Sequence, residues 1–298
     1  MIPPLPLWVL TGTVAVVGRV VMSPYQKYLL ADSSEAEVLF VRDTVALLLF
    51  VPTVAWLLLS EGFSGAPVGT VAMLSTGFLN VVGAFVVFRA LNREDASVVV
   101  PLMSLSPVVT SAVEPLLRNT VVPPTVVVGS VLSAAGAAVV TSEQNKLQSI
   151  VRSSDTEAVV LALSANIIFG VTSTLDGIAT ASVHPLYVSA TIVLFVCAGT
   201  TLRLHRQSSR GFTEQRERLS TLYRRDKGVL GVVQFVGLGA TLVTFGVAPS
   251  ATQAAILFKS NIVLVVLVSS VGLQEQHLLR RSVGATIISA GVVLAVTN

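Results

Sequence analysis

The chain has 298 residues, of which 53% are hydrophobic and 12% charged, and its formal net charge is +3. This much apolar surface exceeds what one soluble core can bury, so the composition indicates an integral membrane protein. Its charges are confined to short loops rather than to one broad basic face, which argues against nucleic-acid binding. The single cysteine, Cys197, excludes an intrachain disulfide and a cysteine metal site.

Ten apolar stretches are long enough to cross a hydrocarbon core roughly 30 Å thick, which takes about 20 residues. In the first half they cover residues 5–23, 37–60, 67–89, 97–117 and 123–141. In the second half they cover residues 157–178, 185–203, 227–247, 252–272 and 279–297. Polar residues 142–156 separate five stretches from five, so we expect two domains, 1–150 and 151–298, in an all-α membrane protein.

The chain also contains an internal repeat, because residues 96–140 recur as residues 251–295. Identical residues at matching positions include the pairs Ala96 and Ala251, Gly129 and Gly284, and Gly136 and Gly291. Since each copy contains an odd number of predicted spans, the second copy must enter the membrane from the opposite face. The sequence therefore predicts ten transmembrane helices arranged as two inverted five-helix repeats, which is typical of transporters that bind substrate near the bilayer midplane.

Basic residues at loops and span ends lie almost entirely on one predicted face of the membrane. Of the 19 Lys and Arg residues, three lie within predicted spans, and 15 of the other 16 fall on that face. The positive-inside rule then places the 203–227 loop in the cytoplasm and both termini outside the cell membrane. We interpret this loop as a topology signal, with an anionic-lipid or partner site as the alternative.

Several short motifs near the end of the first half resemble a known family. They are Ala90-Leu91, Ala96-Ser97, the run Leu105 to Thr110, Gly129 and Ala135-Gly136. Together with the repeat and the five-plus-five count, they resemble the EamA-type repeat of the drug/metabolite transporter superfamily. In that family a glutamate typically lies in the turn before the last helix of each repeat. The second copy of this chain has this glutamate in Gln274-Glu275, whereas the first copy has Asn119-Thr120 at the matching place. Arg42 also resembles an arginine common in the second span of that family.

The resemblance implies a ten-helix transporter of small metabolites, amino acids, nucleotide-like or drug-like solutes, with a central cavity between the repeats. It also implies cytoplasmic termini, as in many relatives, whereas the charge bias of this chain places them outside.

Polar residues recur at intervals of seven along the fourth predicted span. They are Ser97, Ser104, Ser111 and Arg118, with Glu114 between the last two. Seven residues make nearly two helical turns, so these side chains share one face. In the ninth span Lys259 occupies the place of Ser104. It lies about 10 Å into the span, at roughly 1.5 Å per residue, which is too deep for easy snorkelling.

A charge within the hydrocarbon costs about 2.5–3.5 kcal/mol on insertion scales, so we interpret these residues functionally. The predicted substrate-binding residues are Lys259, Ser104, Glu114, Asn80 and Gln234. Lys259 is expected to attract an anionic or carboxylate group, while Glu114 or Asp176 takes up a coupling proton or a substrate amine. Arg118 joins these three charges in one expected cluster, and the alternative is a buried ion pair that neutralises itself. Interhelical hydrogen bonds are the alternative for Asn80 and Gln234.

Arg19 and Asp43 approach the opposite, basic face from adjacent predicted spans, where they form either a gate or a structural pair. Glycines on the fifth and tenth spans favour close helix packing, with homodimerisation through these two helices as the alternative. Three prolines, Pro101, Pro107 and Pro115, favour kinks in the fourth span, whereas the ninth span has none.

The three histidines lie in loops or at span edges, and the sequence contains no metal-ligand cluster and no Gly-rich nucleotide loop. We therefore expect no enzyme activity, no metal and no cofactor. The predicted function is secondary transport of a small metabolite or drug-like solute across the cytoplasmic membrane by alternating access, with proton-coupled export as one mode. The predicted partners are a small-molecule substrate and membrane lipid, and the alternative function is a non-transporting scaffold or receptor.

Overall fold

The computed structural model describes residues 6–30, 34–91, 93, 99, 102–141, 156–207, 225–272 and 278–297. Their regular secondary structure is entirely helical, which confirms the predicted all-α class. The helices of the first half are α1 (Leu7–Leu30), α2 (Glu35–Ser60), α3 (Pro67–Leu91), α4 (Ser106–Arg118) and α5 (Pro124–Thr141). Those of the second half are α6 (Thr156–Thr180), α7 (Pro185–Gln207), α8 (Arg225–Val247), α9 (Ala251–Phe258), α10 (Ser260–Gly272) and α11 (Leu278–Val296).

Five described helices are long and apolar enough to cross a membrane. The spanning segments are Ala36–Ser60, Pro67–Val87, Thr156–Thr180, Pro185–Arg206 and Gly228–Val247. Large apolar side chains such as Leu59 and Trp56 lie exposed on the outer surface, as expected for contact with lipid. The chain is therefore a helical membrane protein, while the count of ten spans stays a prediction.

Helices of the two halves pack mainly against each other. The most extensive contacts join α5 to α11, α3 to α6, α1 to α8 and α2 to α7. Two further contacts, α2 with α8 and α3 with α7, are similar in extent to each other. Few of the large contacts therefore lie within one half of the chain.

The glycines of α5 and α11 contact each other closely. A Cβ atom added at Gly129 would lie 2.7 Å from the Gly291 carbonyl oxygen, and one at Gly136 would lie 2.7 Å from the Gly284 carbonyl oxygen. Only glycine permits this backbone approach, so the predicted close packing is confirmed. A homodimer through these helices stays a prediction, and it would have to use other faces of α5 and α11.

Two helical segments are interrupted at matching positions of the two halves. Before α4, Leu105 N–H donates to the Leu102 carbonyl at 3.4 Å, and between α9 and α10, Lys259 N–H donates to the Ile256 carbonyl at 2.9 Å. Both are i→i−3 turns that interrupt the α-helical hydrogen-bond ladder. The spans predicted as continuous over 97–117 and 252–272 are therefore discontinuous, although residues 97, 98, 100 and 101 lie outside the described residues.

The first break has a local cause and the second does not. Pro107 lies in the first turn of α4, where its missing N–H removes no helical hydrogen bond. The break at Lys259 contains no proline, and the hydrophobic pattern runs through it without change. The sequence around the second break therefore contains no local signal for it.

Candidate functional site

A cavity of about 450 Å³ lies between the two helix breaks, which is a size that suits a small solute. The first break contributes Met103, Ser104 and Ser106 to its lining, and the second contributes Ala255, Phe258, Lys259, Asn261 and Ile262. Helices α1, α3, α6, α7 and α8 supply the other walls. Both halves of the chain therefore build one cavity around their discontinuous helices.

The described lining contains two cations and one carboxylate, namely Arg19, Lys259 and Asp176. The guanidinium carbon of Arg19 lies 4.4 Å from the centre of the Phe258 ring, which is a favourable cation–π distance. Arg19 is also close enough to Asp176 and to Lys259 for electrostatic interaction. The Lys259 ammonium makes no ion pair with any residue that the structure describes. The cavity therefore has an excess of positive charge.

Asp176 is fixed by a chain of hydrogen bonds that reaches α3. The hydroxyl of Thr76 donates to one Asp176 carboxylate oxygen at 2.7 Å, and the amide of Asn80 donates to the same hydroxyl at 3.3 Å. Asn80 also donates to the Thr76 carbonyl at 2.9 Å, one helical turn back. Asn80 thus lines the cavity and supports the orientation of Asp176 through Thr76.

The first break is stabilised from α5 and α6. The hydroxyl of Ser104 donates to the Ala134 carbonyl at 3.4 Å. The amide of Asn166, a buried side chain in the middle of α6, donates to the Leu102 carbonyl next to the break and to the Ala162 carbonyl at 3.2 Å. Carbonyl groups released by a helix break need such partners inside a membrane.

Glu114 belongs to α4 and is not among the described lining residues of this cavity. Its side chain contacts the N-terminus of α9 instead. Its fully buried carboxylate accepts hydrogen bonds from the backbone N–H groups of Ala251 at 2.8 Å and Thr252 at 2.9 Å, and from the Thr252 hydroxyl at 2.7 Å. Arg118 donates to it at 3.0 Å. A carboxylate at a helix N-terminus satisfies free N–H groups and interacts favourably with the helix dipole.

The expected cluster of four charges is therefore divided into two groups. Asp176 and Lys259 line the cavity, whereas Glu114 and Arg118 join α4 to the N-terminus of α9. The substrate or proton role of Glu114 stays a prediction, and its four hydrogen bonds favour a structural role.

Comparison with known families gives a match to the first half of the chain. Residues 6–142 match a family described as the EamA-like transporter family. The match ends one residue after α5.

A solved crystal structure of a protein shares the fold of this chain. It is 16% identical, the match covers 98% of both chains, and the TM-score is 0.70. At this identity the similarity concerns the fold alone. No curated protein matches the chain.

Arg19 and Asp43 do not form the structural pair with each other. Asp43, which is 1% exposed, accepts two hydrogen bonds of 2.9 Å from its neighbour Arg42, while Arg19 lies over Phe258 in the cavity. Sequence position indicates the depth of a residue in the membrane, but depth does not determine the direction in which its side chain points. Arg42 thus neutralises the buried Asp43.

Gln234 of α8, which matches Asn80 by the repeat, is half-buried and is not among the described lining residues of the cavity. Sequence reasoning missed Thr76, Asn166 and Asn261. Asn166 carries a signal that was available, because an amide inside a long apolar run needs a polar partner. Thr76 carries no such signal, since the threonine hydroxyl commonly donates a hydrogen bond to a carbonyl of its own helix.

Proposed function

We propose that this protein is a secondary transporter that binds a small anionic solute, such as a carboxylate, between its two helix breaks. It moves this solute across the cell membrane by alternating access. The observation that supports the anionic specificity is the position of Lys259, at one break and in the cavity, with Arg19 nearby and Asp176 as the carboxylate of the described lining.

The electrostatic free energies favour binding of an anion at Lys259 over burial of this cation without a counter-charge. A charge at the centre of a membrane costs about 2.5–3.5 kcal/mol on insertion scales. An anion 4 Å from an ammonium group gains roughly 4 kcal/mol at an effective dielectric constant of 20. Binding an anion at Lys259 therefore offsets the cost of burying this residue, and a cationic solute would increase it.

The packing of the helices supports a two-fold relation between the halves, and an odd number of spans in each half would make the repeats inverted. If α1, α2 and α3 correspond to α6, α7 and α8, exchange of the halves converts the α1–α8 contact into α6–α3. The same exchange converts the α2–α8 contact into α7–α3, and both members of each pair are present. Discontinuous helices at a repeat interface are typical of alternating-access transporters, because each half can move against the other around the bound solute.

We further propose that Asp176 carries the coupling proton when transport is proton-coupled export. It is a buried carboxylate beside the proposed anion site, and its bond to Thr76 keeps it oriented toward the other charges. The charge bias supports a cytoplasmic position for the basic face and outside positions for both termini.

A ligand screen tests the proposal directly. Thermal unfolding of the purified protein is measured with small mono- and dicarboxylates, amino acids and sugar phosphates, and with neutral and cationic compounds of similar size. A bound ligand stabilises the folded state by mass action, by about 2.7 kcal/mol at one hundred times its Kd. We expect stabilisation by one class of anions, loss of this effect in Lys259→Gln, and retention in Arg281→Gln, which removes a charge at the start of α11 instead.

The stabilising compound is then tested for flux in proteoliposomes. Flux of this compound that is lost in Lys259→Gln supports the transporter. Equal stabilisation by neutral and anionic compounds contradicts the proposed specificity. Binding without any flux favours the non-transporting scaffold or receptor.

A further inference from the structure

A second groove lies on the outer surface of the helical bundle, between α3 and α7. Its volume is about 870 Å³, and it is distinct from the cavity between the helix breaks. Its walls are apolar and consist of Phe78, Val81, Phe85, Phe195, Ala198, Gly199 and Leu202. Ala198 and Gly199 have almost no side chain, so α7 leaves open the space that a larger residue would fill.

Four arginines surround one end of this groove. Arg89 lies in the last turn of α3 and Arg93 two residues after its end, and Arg203 and Arg206 come from the end of α7. The guanidinium carbon of Arg203 lies 5.3 Å from the centre of the Phe85 ring, which holds the cation against the apolar wall.

The charges at this end are only partly neutralised. Glu157 of α6 pairs with Arg89 at 2.8 Å and with Arg93 at 2.9 Å. Arg203 and Arg206 have no carboxylate within 4.0 Å among the residues that the structure describes. One end of an apolar groove therefore presents positive charge to a ligand.

The length of the groove matches one leaflet of a bilayer. From Phe78 to Arg89 is eleven residues of α3, or about 16 Å at roughly 1.5 Å per residue. Half of a hydrocarbon core roughly 30 Å thick is about 15 Å. With the arginines at the headgroup level, the apolar walls extend to about the middle of the membrane.

We propose that this groove is a binding site for an anionic phospholipid. The phosphate interacts with Arg203 and Arg206, and an acyl chain lies along Phe85 and Phe195 between α3 and α7. An anionic lipid is favoured over a zwitterionic one because its headgroup supplies a net negative charge to Arg203 and Arg206, which have no carboxylate partner among the described residues. The arginines lie on the face with most basic loops, so the lipid comes from the leaflet on that face. This proposal does not depend on the nature of the transported solute.

The test uses the purified full-length protein in detergent, with phosphatidylglycerol and phosphatidylcholine as probes. Lipid binding is measured by native mass spectrometry and by the shift of the thermal unfolding temperature. Two variants change different parts of the site. Arg203→Gln with Arg206→Gln removes the charges, and Ala198→Trp fills the apolar groove at an exposed position while leaving all four arginines unchanged. The control is Arg280→Gln with Arg281→Gln, which removes two charges at the start of α11.

We expect phosphatidylglycerol to bind the native protein more tightly than phosphatidylcholine. Each basic residue near an anionic lipid surface contributes about a fivefold factor in affinity, so the double variant should lose about 30-fold. Ala198→Trp should also lose phosphatidylglycerol binding, whereas the control pair should keep it. Size-exclusion profiles and unfolding curves without lipid verify that each variant folds.

Four results would overturn the site. Three of them are equal binding of the two lipids, an undiminished phosphatidylglycerol affinity in the Arg203 and Arg206 variant, and an equal loss in the control pair. The last result would assign lipid binding to general surface charge. Free glycerol phosphate that competes at the same concentration as the lipid would show that the apolar groove contributes nothing, which also contradicts the proposal.

Discussion

Asp176 is the acidic member of the charged cavity lining, and two different effects depend on it. Its carboxylate opposes a bound anion and is also the proposed proton carrier. We predict that Asp176→Asn raises the affinity for the transported anion by roughly tenfold, as expected for like charges about 10 Å apart at an effective dielectric constant of 20. The same variant should make flux in proteoliposomes independent of an imposed pH gradient.

Thr76→Val is the matched control for this prediction, because it removes the hydrogen bond to Asp176 and keeps the charge. Its flux should still respond to the pH gradient. If native flux ignores the gradient, the protein is a facilitator or exchanger, and the proton role of Asp176 is wrong. If Asp176→Asn weakens anion binding, the residue contacts the substrate favourably and the electrostatic argument fails.

Glu114 is the residue whose surroundings favour structure over transport. We predict that Glu114→Ala destabilises the protein by about 3 kcal/mol, because it leaves Arg118 and two helix N–H groups without their buried acceptor. The unfolding temperature should fall by several degrees, while flux per folded molecule remains close to that of the native protein.

Glu114→Gln is the second variant, since the amide oxygen can still accept a hydrogen bond from a backbone N–H group at the N-terminus of α9. Glu114→Gln should therefore lose less stability than Glu114→Ala. A Glu114→Gln protein that is stable but inactive would contradict the structural role and restore the predicted role in coupling.

At the scale of single elements, the contact between α5 and α11 depends on the absence of side chains. A Cβ at Gly129 would lie 2.7 Å from the carbonyl oxygen of Gly291, and both helices would have to separate. We predict that Gly129→Ala lowers the free energy of unfolding by about 1–3 kcal/mol, in the range of other overpacking substitutions. Unfolding curves of the purified variant measure the loss.

Gly228→Ala is the control within α8, because no atom of the described residues lies within 4 Å of an added Cβ there. This substitution should be neutral or slightly stabilising, since alanine favours helix over glycine by up to about 1 kcal/mol. Equal stability of the two variants would show that the glycine contact does not hold α5 and α11 together.

The positions of most helices follow from hydrophobic runs, and the breaks do not. The run at 185–203 predicts α7, which begins at the same residue and extends to Gln207. The run at 252–272 predicts one helix, because apolar residues continue across Lys259, yet α9 ends at Phe258. Periodicity detects which residues avoid water, and it does not change at this break. Pro107 was a visible local signal for the start of α4 in the first half.

The candidate site was predictable in its chemistry and less so in its arrangement. Lys259, Ser104, Asn80 and Asp176 were selected because charged and polar groups are costly in lipid, and all four line the cavity. Arg19 is predicted to form a gate or a structural pair with Asp43 and lies in the same cavity as these four residues, since depth along a helix does not indicate which way a long side chain turns. Glu114 shared the polar face of its helix, but only the fold shows that this face meets the N-terminus of α9.

At the scale of the whole molecule, the most extensive helix contacts join one half of the chain to the other. Relative movement of the halves would therefore change both ends of the central cavity. The direction of that movement across the membrane depends on orientation. We predict that the loop after α2 is outside the cell and the end of α7 is inside, because the arginines of α7 lie on the basic face. Labelling of single cysteines introduced in these two places measures the orientation.

The chain suits this measurement because its native cysteine, Cys197, is buried within α7. In intact cells, a membrane-impermeant maleimide should label Ser64→Cys, an exposed position after α2, and should leave Arg206→Cys unlabelled. After the membrane is permeabilised, both should react, and the native protein should react slowly in either state. Labelling of Arg206→Cys but not Ser64→Cys in intact cells would invert the topology, and it would place the proposed lipid groove in the outer leaflet.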